Sequence, residues 1–526
     1  MSIARASLVM IAALIASRIL GWLRLSVFGA TFGETAQLDA FWAAFRIPDA
    51  LFNLVVAGAL ASAFIPVFAG YLAKENEDEA WHVASSVMNI LVLALVVLSG
   101  VMWLAAPWIV PTLIVSPTFA SRPGQLDLTI ELTRIMLLSP IFMGLSSLVT
   151  GVLQSYRQFL AGALAPLVYN GVQILFALFA SPFIGIDALA YGVVAGAVMM
   201  FLVQLPELTF RRTKYQLTFD LGHLGVRQIF ALAGPRTLSL GAVQVVFFVD
   251  TYLASGMRAG SLTALNYAFQ LMLLPLGVFS IAISAAVFPA LSHYASLGQA
   301  SKMRDALQQA IRWILFLTLP TAILMVVLRR PIVNLLFQYG DFGADARELV
   351  QAAFLFYALG LAGHALVQIL ARAYFASRDT TTPLALTLIS IGANVILSVT
   401  LGPLYGINGL ALANSVATLA EAALLLLMLA PRARLRLVGL GYATLKQLTA
   451  ALFMGVAMFL FINFTNIPLN LAQDPPKLLL FLQTLLAASF GLGVYLLAAY
   501  LMHIDELHEV ISVLRARLRR GRTVAT

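Results

Sequence analysis

The chain contains no cysteine, so it has no disulfide framework, thiolate zinc site or thiol nucleophile. Charge is scarce as well. Only 10% of its 526 residues are Asp, Glu, Lys or Arg, against roughly 25% in a soluble domain. That scarcity excludes a soluble globular enzyme and a disordered chain. No Walker A sequence occurs, which excludes ATP hydrolysis through a P-loop. The histidines His82, His223, His293, His364, His503 and His508 form no His-Glu-x-x-His pattern. With no carboxylate or metal constellation to support catalysis, the chain is not expected to be an enzyme. No soluble domain is visible, since the longest polar connections run to about 15–20 residues. Nucleic-acid binding is not expected, because no soluble basic domain exists to carry it.

Apolar residues in long runs are what the sequence does have. Hydrophobic residues make up 61%, and mean hydropathy is +0.94, which places the chain in the polytopic all-α membrane class. A spanning helix needs about 20 mainly apolar residues, and about 14 such stretches occur. Their cores lie at 8–33, 37–72, 82–110, 128–154, 159–182, 186–209, 228–255, 262–291, 306–328, 348–375, 383–401, 407–430, 447–466 and 479–501. Pro48, Pro66, Pro235 and Pro275 fall inside or near the ends of these runs, where kinks are expected. The start resembles a signal peptide, but Arg18 and Arg24 interrupt the apolar run and no small-residue cleavage site follows. It reads as a retained first span.

Lysines and arginines number 32 and acids 23, a net charge of +9. An even span count puts both termini on one side. Placing them in the cytoplasm assigns about 20 basic residues to that side and about six to the outside. Arg211, Arg212 and Lys214, then Arg432, Arg434 and Arg436, are among the inner ones. The tail, with Arg515, Arg517, Arg519, Arg520 and Arg522, reads as a topology anchor and a contact for anionic membrane lipids. Residues 329–347 read as an external segment lying on the surface, and Glu131 with Arg134 as an i,i+3 pair.

An internal repeat organises the spans. Residues 38–47 and 262–271 match at a spacing of 224, where Leu38, Ala40, Ala44 and Phe45 meet identical residues. Gly185-Ile-Asp-Ala-Leu-Ala190 matches Gly406-Ile-Asn-Gly-Leu-Ala411 at a spacing of 221. Six spans separate each pair, so the copies share an orientation. The expected architecture is two parallel six-helix repeats around a central cavity, plus two extra C-terminal helices. The expected divisions are 1–210, 211–431, 432–502 and a basic cytoplasmic tail at 503–526. Transport by alternating access follows from that plan. An old duplication in a channel or enzyme scaffold is the plainer alternative.

Ionisable residues inside the membrane cost about 3 kcal/mol or more at a helix centre, so each needs a partner, water or a task. Arg18 and Arg24 lie in span 1. Asp39, Arg46, Asp49 and Asn53 share one broad face of span 2. One reading is a hydrated, net-positive cavity suited to phosphate oxygens, because arginine forks match them. The other is structural, with Arg18 or Arg24 pairing with Asp39 and Arg46 with Asp49. The second half is poorer in charge, and Gln270 stands where the repeat has Arg46. Asp250, Ser390 and Asn394 offer oxygens to a small cation, or form a hydrogen-bonded contact between helices.

Several motifs resemble the MurJ/MviN lipid II flippase family. They include Ser17-Arg-Ile-Leu-Gly-Trp-Leu-Arg24, Asp39-Ala-Phe, Phe45-Arg-Ile-Pro48 and Ala63-Phe-Ile-Pro66. Further along come Val249-Asp-Thr-Tyr-Leu-Ala-Ser255, Leu265-Asn-Tyr-Ala268, Leu274-Pro-Leu-Gly-Val-Phe279, Phe288-Pro289, Phe337-Gln-Tyr-Gly-Asp-Phe342, Tyr374-Phe-Ala376 and Asp379-Thr-Thr-Thr-Pro383. The resemblance implies a 14-span fold of the multidrug/oligosaccharidyl-lipid/polysaccharide exporter superfamily. It implies transfer of undecaprenyl-pyrophosphate-linked peptidoglycan precursor across the bacterial inner membrane, in the service of cell-wall biogenesis and cell shape. In that family the arginines matching Arg18 and Arg24 and the acid matching Asp39 are functionally important, and joined to the charged face of span 2 and its repeat counterpart they give an expected substrate site at Arg18, Arg24, Asp39, Arg46, Asp49, Asn53 and Gln270. Some members place a sodium ion near the position of Asp250. For this chain the expectation is no cofactor, Na+ or H+ as the coupling ion, and a monomer. The sequence departs from the family at Leu25, Phe52, Ala57 and Gln270, where charged residues are common. Those losses leave open a cation-coupled exporter of another polyprenyl-linked glycan or of drugs.

Overall fold

A computed structural model describes residues 3–33, 35–57, 63–209, 213–464, 476–512 and 515. Arg211, Arg212 and the tail arginines from Arg517 onward lie outside the described residues. Among those described, the chain is helical and holds no strand. Among the described residues, eleven helices are long and apolar enough to cross a membrane, and they coincide with eleven of the expected spans. The other three expected spans, 8–33, 37–72 and 228–255, are the ones that carry the arginines and carboxylates singled out above. Large apolar side chains stand exposed on the helices, such as Trp108 at 70% and Phe183 at 86%. Lipid accommodates such surface and water does not. The chain is a multi-pass membrane protein.

Two compact units result, Met1–Thr263 with Tyr339–Ala346, and Ala264–Gln338 with Arg347–Thr526. The first holds α1 (Ile3–Phe32), α2 (Ala36–Phe52), α3 (Ile65–Ala73), α4 (Glu77–Ile109), α5 (Pro117–Ala120), α6 (Gln125–Met136), α7 (Ser139–Ser155), α8 (Leu160–Leu175), α9 (Ser181–Ile184), α10 (Asp187–Leu202), α11 (Leu205–Thr209) and α12 (Leu224–Ser255). The caps are legible in the residues. Thr35 accepts the Leu38 N–H at the start of α2. Asn76 accepts the Glu79 N–H at the start of α4, whose first turn carries Glu77, Asp78 and Glu79 against the helix dipole. Phe64, Phe68, Trp81, Val152 and Ile229 form a core that joins α3, α4, α7 and α12.

The second unit holds most of α13 (Ser261–Pro275), then α14 (Ile281–Ser296), α15 (Ala300–Val327), α16 (Arg329–Phe337), α17 (Ala344–Ala376), α18 (Thr381–Tyr405), α19 (Ile407–Arg432), α20 (Leu437–Phe464) and α21 (Lys477–Leu501). The two helices beyond the repeat, α20 and α21, pack on α15. Met454, Met458 and Tyr495 surround Phe316, and the Tyr495 hydroxyl donates to the Phe316 carbonyl at 2.8 Å.

The repeat is written in the backbone. Gly185 ends α9 at φ 62°, ψ −141°, and Gly406 ends α18 at φ 61°, ψ −143°. Only glycine adopts that region readily. Both α2 and α13 run into a five-residue π-helical turn, Asn53–Ala57 and Leu276–Ser280. Pro48 lies just upstream of the first turn and Pro275 directly precedes the second, and missing donors of this kind favour such breaks. The stretch read as one span at 37–72 is therefore an interrupted pair, α2 and α3.

Two expectations are corrected here. Residues 329–347 do not simply lie on the surface. Val333 and Phe337 of α16 are buried, and residues 339–346 pack within the first unit, where the Asp341 N–H donates to the Ala30 carbonyl at 2.9 Å. A Cβ on Gly340 (φ 54°) would lie 2.1 Å from the Ala30 oxygen, so only glycine permits this approach. Arg134 turns to Trp103, not to Glu131. Its Nε donates to the Trp103 carbonyl at 3.2 Å and its guanidinium sits 4.6 Å from the ring.

Candidate functional site

The charged face of α2 supplies most of the site. Asp39 lies in its first turn and is 1% exposed. The Gly260 N–H donates to Asp39 Oδ2 at 2.7 Å. The Thr263 N–H and hydroxyl donate to Oδ1 at 2.8 and 2.7 Å. Asp39 thus caps the first turn of α13, whose leading N–H groups have no partner inside their own helix. Thr263 is the repeat counterpart of Asp39, so equivalent first turns of two helices are tied together. The arginine close enough to act on the Asp39 charge is Arg122. Asp39 was expected to orient or pair with Arg18 or Arg24, and that expectation is corrected. Helix N–H groups supply the positive partial charge instead.

Two turns further along α2, Arg46 faces α12. Its Nε donates to Thr251 Oγ1 at 2.9 Å, and its guanidinium lies 5.2 Å from the Phe247 ring. Asp49 lies within electrostatic range of Arg46 and hydrogen-bonds the side chains of Asn53 and Gln244. The amide of Asn53 also donates to the Asp49 carbonyl at 2.9 Å. Arg24 reaches α8, where its Nη1 donates to Gln173 Oε1 at 3.3 Å, and it lies 5.9 Å from the Phe28 ring. Tyr169, one turn before Gln173, is within electrostatic range of both Arg24 and Asp49. The structure therefore gathers Arg24, Arg46, Asp49 and Asn53 with neutral partners from α8 and α12. Arg18 stands exposed on α1, two turns before Arg24.

Gln173, Gln244 and Thr251 were not singled out in the sequence. Their signal was present, since two amides and a hydroxyl in apolar runs need partners as charges do. The departures at Leu25 and Phe52 also have a local account. Leu25 is 3% exposed and Phe52 packs against the apolar core, so both positions are occupied by side chains that suit burial. The side chains of Ala57 and Arg236 lie outside the described residues.

The remaining expected residues divide between the units. Asp250 is 6% exposed in the first. Gln270, Ser390 and Asn394 lie in the second, where Gln270 is exposed. The Ser390 hydroxyl donates to the Ala417 carbonyl at 3.1 Å, joining α18 to α19. Asn394 Oδ1 accepts the Ser398 hydroxyl at 3.4 Å. The same pair of helices is joined by Thr387, which donates to Glu421 at 2.6 Å. His364 of α17 bonds Asn414 at 3.0 Å.

Chemically, the first unit presents guanidinium groups that bond neutral side chains, with the Asp49 carboxylate in electrostatic range of Arg46, and guanidinium forks can bind phosphate oxygens. The family model for Lipid II flippase MurJ matches residues 28–474. A probable lipid II flippase MurJ of Rhizobium meliloti is 30% identical over 521 residues, covering 98% of this chain and 96% of its own. The lipid II flippase MurJ of Burkholderia cenocepacia is 30% identical over 442 residues, covering 82% of this chain and 84% of its own. Among solved structures, a lipid II flippase MurJ in an inward closed conformation superposes with a TM-score of 0.77 at 24% identity, covering 95% of this chain and all of that one. An inward-facing multidrug resistance transporter of the MATE family follows at 0.67 and 15%, covering 82% of this chain and 99% of that one. At those identities the structural likeness shows the fold. Over most of its length and by its family match, the chain belongs to the MurJ lipid II flippase family.

Proposed function

We propose that this chain is a lipid II flippase. It moves the undecaprenyl-pyrophosphate-linked peptidoglycan precursor from the inner to the outer leaflet of the bacterial inner membrane. The arginine pair carries this reading. Gln173 and Thr251 hold Arg24 and Arg46 in place, with Asp49 in electrostatic range of Arg46. Two guanidinium forks in an apolar setting match a pyrophosphate, where each charge-assisted bond contributes about 1.5–3 kcal/mol. Arg18 lies on the same helix as Arg24 and extends the track.

In this account the six-helix repeats, 1–210 and 211–431, exchange access while the polyprenyl tail stays in lipid. No covalent step is involved. Sodium or protons supply the energy for the exchange, and an imposed sodium or pH gradient separates the two. Both termini face the cytoplasm, the basic tail contacts anionic lipid, and the protein works as a monomer.

A second reading, export of another polyprenyl-linked glycan, is favoured by the neutral residue at Gln270. One experiment separates them. The chain is expressed in a bacterium whose own lipid II flippase is shut off, and labelled lipid II is followed into the outer leaflet. Rescue with leaflet transfer is expected. Membrane expression without transfer would favour the other glycan.

A further inference from the structure

The connection between the two repeats is unlike an ordinary polar loop. Residues 213–221 form neither helix nor strand and climb along α4 before returning to α12. Lys214 pairs with Asp78 in the first turn of α4. The Gln216 N–H donates to Ser85 Oγ at 3.1 Å, and Asn89 Nδ2 donates to the carbonyls of Gln216 and Thr218 at 3.1 and 2.9 Å. The Tyr215 hydroxyl donates to Asn89 Oδ1 at 2.7 Å. On the way back Asp220 meets His82 at 3.2 Å and His223 meets Glu79 at 2.5 Å. Apolar side chains of this connection stand exposed. Leu217, Phe219 and Leu221 recur at every second position, followed by Leu224, with Leu217 at 78% and Leu224 at 79%, and the ring of Tyr215 is exposed although its hydroxyl reaches α4.

Two features fix what covers this surface. First, α4 has 33 residues and is about 50 Å long, whereas the hydrocarbon core is about 30 Å thick. Roughly its first 13 residues, which include Ser85 and Asn89, therefore lie in the interfacial layer. Second, the loop backbone at its highest point is bonded to α4 side chains. Irregular backbone away from water requires such partners, and backbone in water does not.

We propose that residues 213–224 form an interfacial lipid anchor, with Tyr215, Leu217, Phe219, Leu221 and Leu224 inserted among the lipids at the bilayer face where α4 begins. The exposed Lys214 and Arg227 flank the apolar side chains and meet anionic headgroups there. The proposal rests on α4 crossing the bilayer and is independent of the transported substrate. The connection between the repeats is then held in the leaflet and does not hang in water.

The absence of cysteine makes the test direct. Leu217→Cys in the full chain is labelled with an environment-sensitive fluorophore and reconstituted into vesicles of phosphatidylcholine and phosphatidylglycerol. Ser301→Cys, exposed in the first turn of α15, is the aqueous reference. The expected result is blue-shifted emission at position 217, loss of most of it to lipids bearing a shallow spin label, and protection from iodide. The reference should show the reverse. Quenching of position 217 by iodide would overturn the proposal and place the loop in water. Protection from both quenchers would also overturn it, because protein would then cover the loop. The same labels in anionic-lipid-free vesicles should show weaker lipid quenching at 217, and an unchanged value would remove Lys214 and Arg227 from the anchor.

Discussion

Helices α2 and α13 are two copies of one design that diverged in a single respect. Leu38, Ala40 and Ala44 are buried, and so are their counterparts Leu262, Ala264 and Ala268. Both helices end in a π-helical turn, within one residue of each other at the repeat spacing. Their polar faces differ completely. Asp39, Arg46 and Asp49 on α2, and Asn53 at the start of its π-helical turn, correspond at the same spacing to Thr263, Gln270, Leu273 and Gly277. Packing residues preserved the shape of both copies, while charged residues concentrated in one. A duplicated scaffold constrains where helices lie and leaves each copy free to specialise.

The largest effect should come from the contact that joins the copies. Asp39→Ala strips three hydrogen bonds from buried N–H and hydroxyl donors, and about 3 kcal/mol or more of stability should go with them. Thr263→Val removes only the hydroxyl bond and should cost about 1 kcal/mol. Thermal unfolding of the purified proteins checks the ratio, and equal losses would break the account of Asp39 as a cap. Next, Arg46→Gln makes α2 read like α13. Lipid-linked transport should fall by about tenfold to a hundredfold, as the loss of one charge-assisted bond of about 1.5–3 kcal/mol requires. Gln270→Arg should leave transport within about twofold, since that side chain is exposed.

The shared backbone can be tested separately. Gly185→Ala and Gly406→Ala meet open space but force alanine to φ near +60°. Each should destabilise by about 1–3 kcal/mol, and the two losses should agree closely. Clearly unequal melting shifts would mean that the repeat is not preserved at these turns. The smallest effect concerns Asp379 in the α17–α18 connection. Hydrogen bonds from the Thr382 N–H and hydroxyl, aided by Arg432, hold its carboxyl below the usual carboxylate range. A lowered value means that the stabilisation is present above the ordinary carboxylate range and is lost as pH falls through the lowered one. Asp379→Asn should therefore melt lower than the parent at neutral pH, and the gap should close in acid.

Most of the fold was legible because long apolar runs admit few alternatives in a membrane. The eleven long apolar helices fall where those runs predicted them. The repeat was legible too, because Leu38, Ala40, Ala44 and Gly185 match their copies for packing and backbone reasons that sequence preserves. The partners were harder. Charge in a sequence suggests charge pairs, so Asp39 was matched to arginines. Its true partners are backbone N–H groups 221 and 224 residues away, which every residue carries and no sequence marks. Arg134 shows the same limit, since its choice of Trp103 over Glu131 depends on how α4 packs beside α6. The break at residues 53–57 inside the expected span 37–72 needed knowledge of where the ladder slips after Pro48.

The central claim is that the α2 charges, with Arg24, carry substrate recognition in this family member. The most direct measurement follows labelled lipid II into the outer leaflet of cells that depend on this chain, comparing the parent with Arg24→Ala and Arg46→Ala at matched membrane abundance. The account predicts transfer by the parent and a loss of at least about tenfold in each variant. Full transfer by both variants would contradict it.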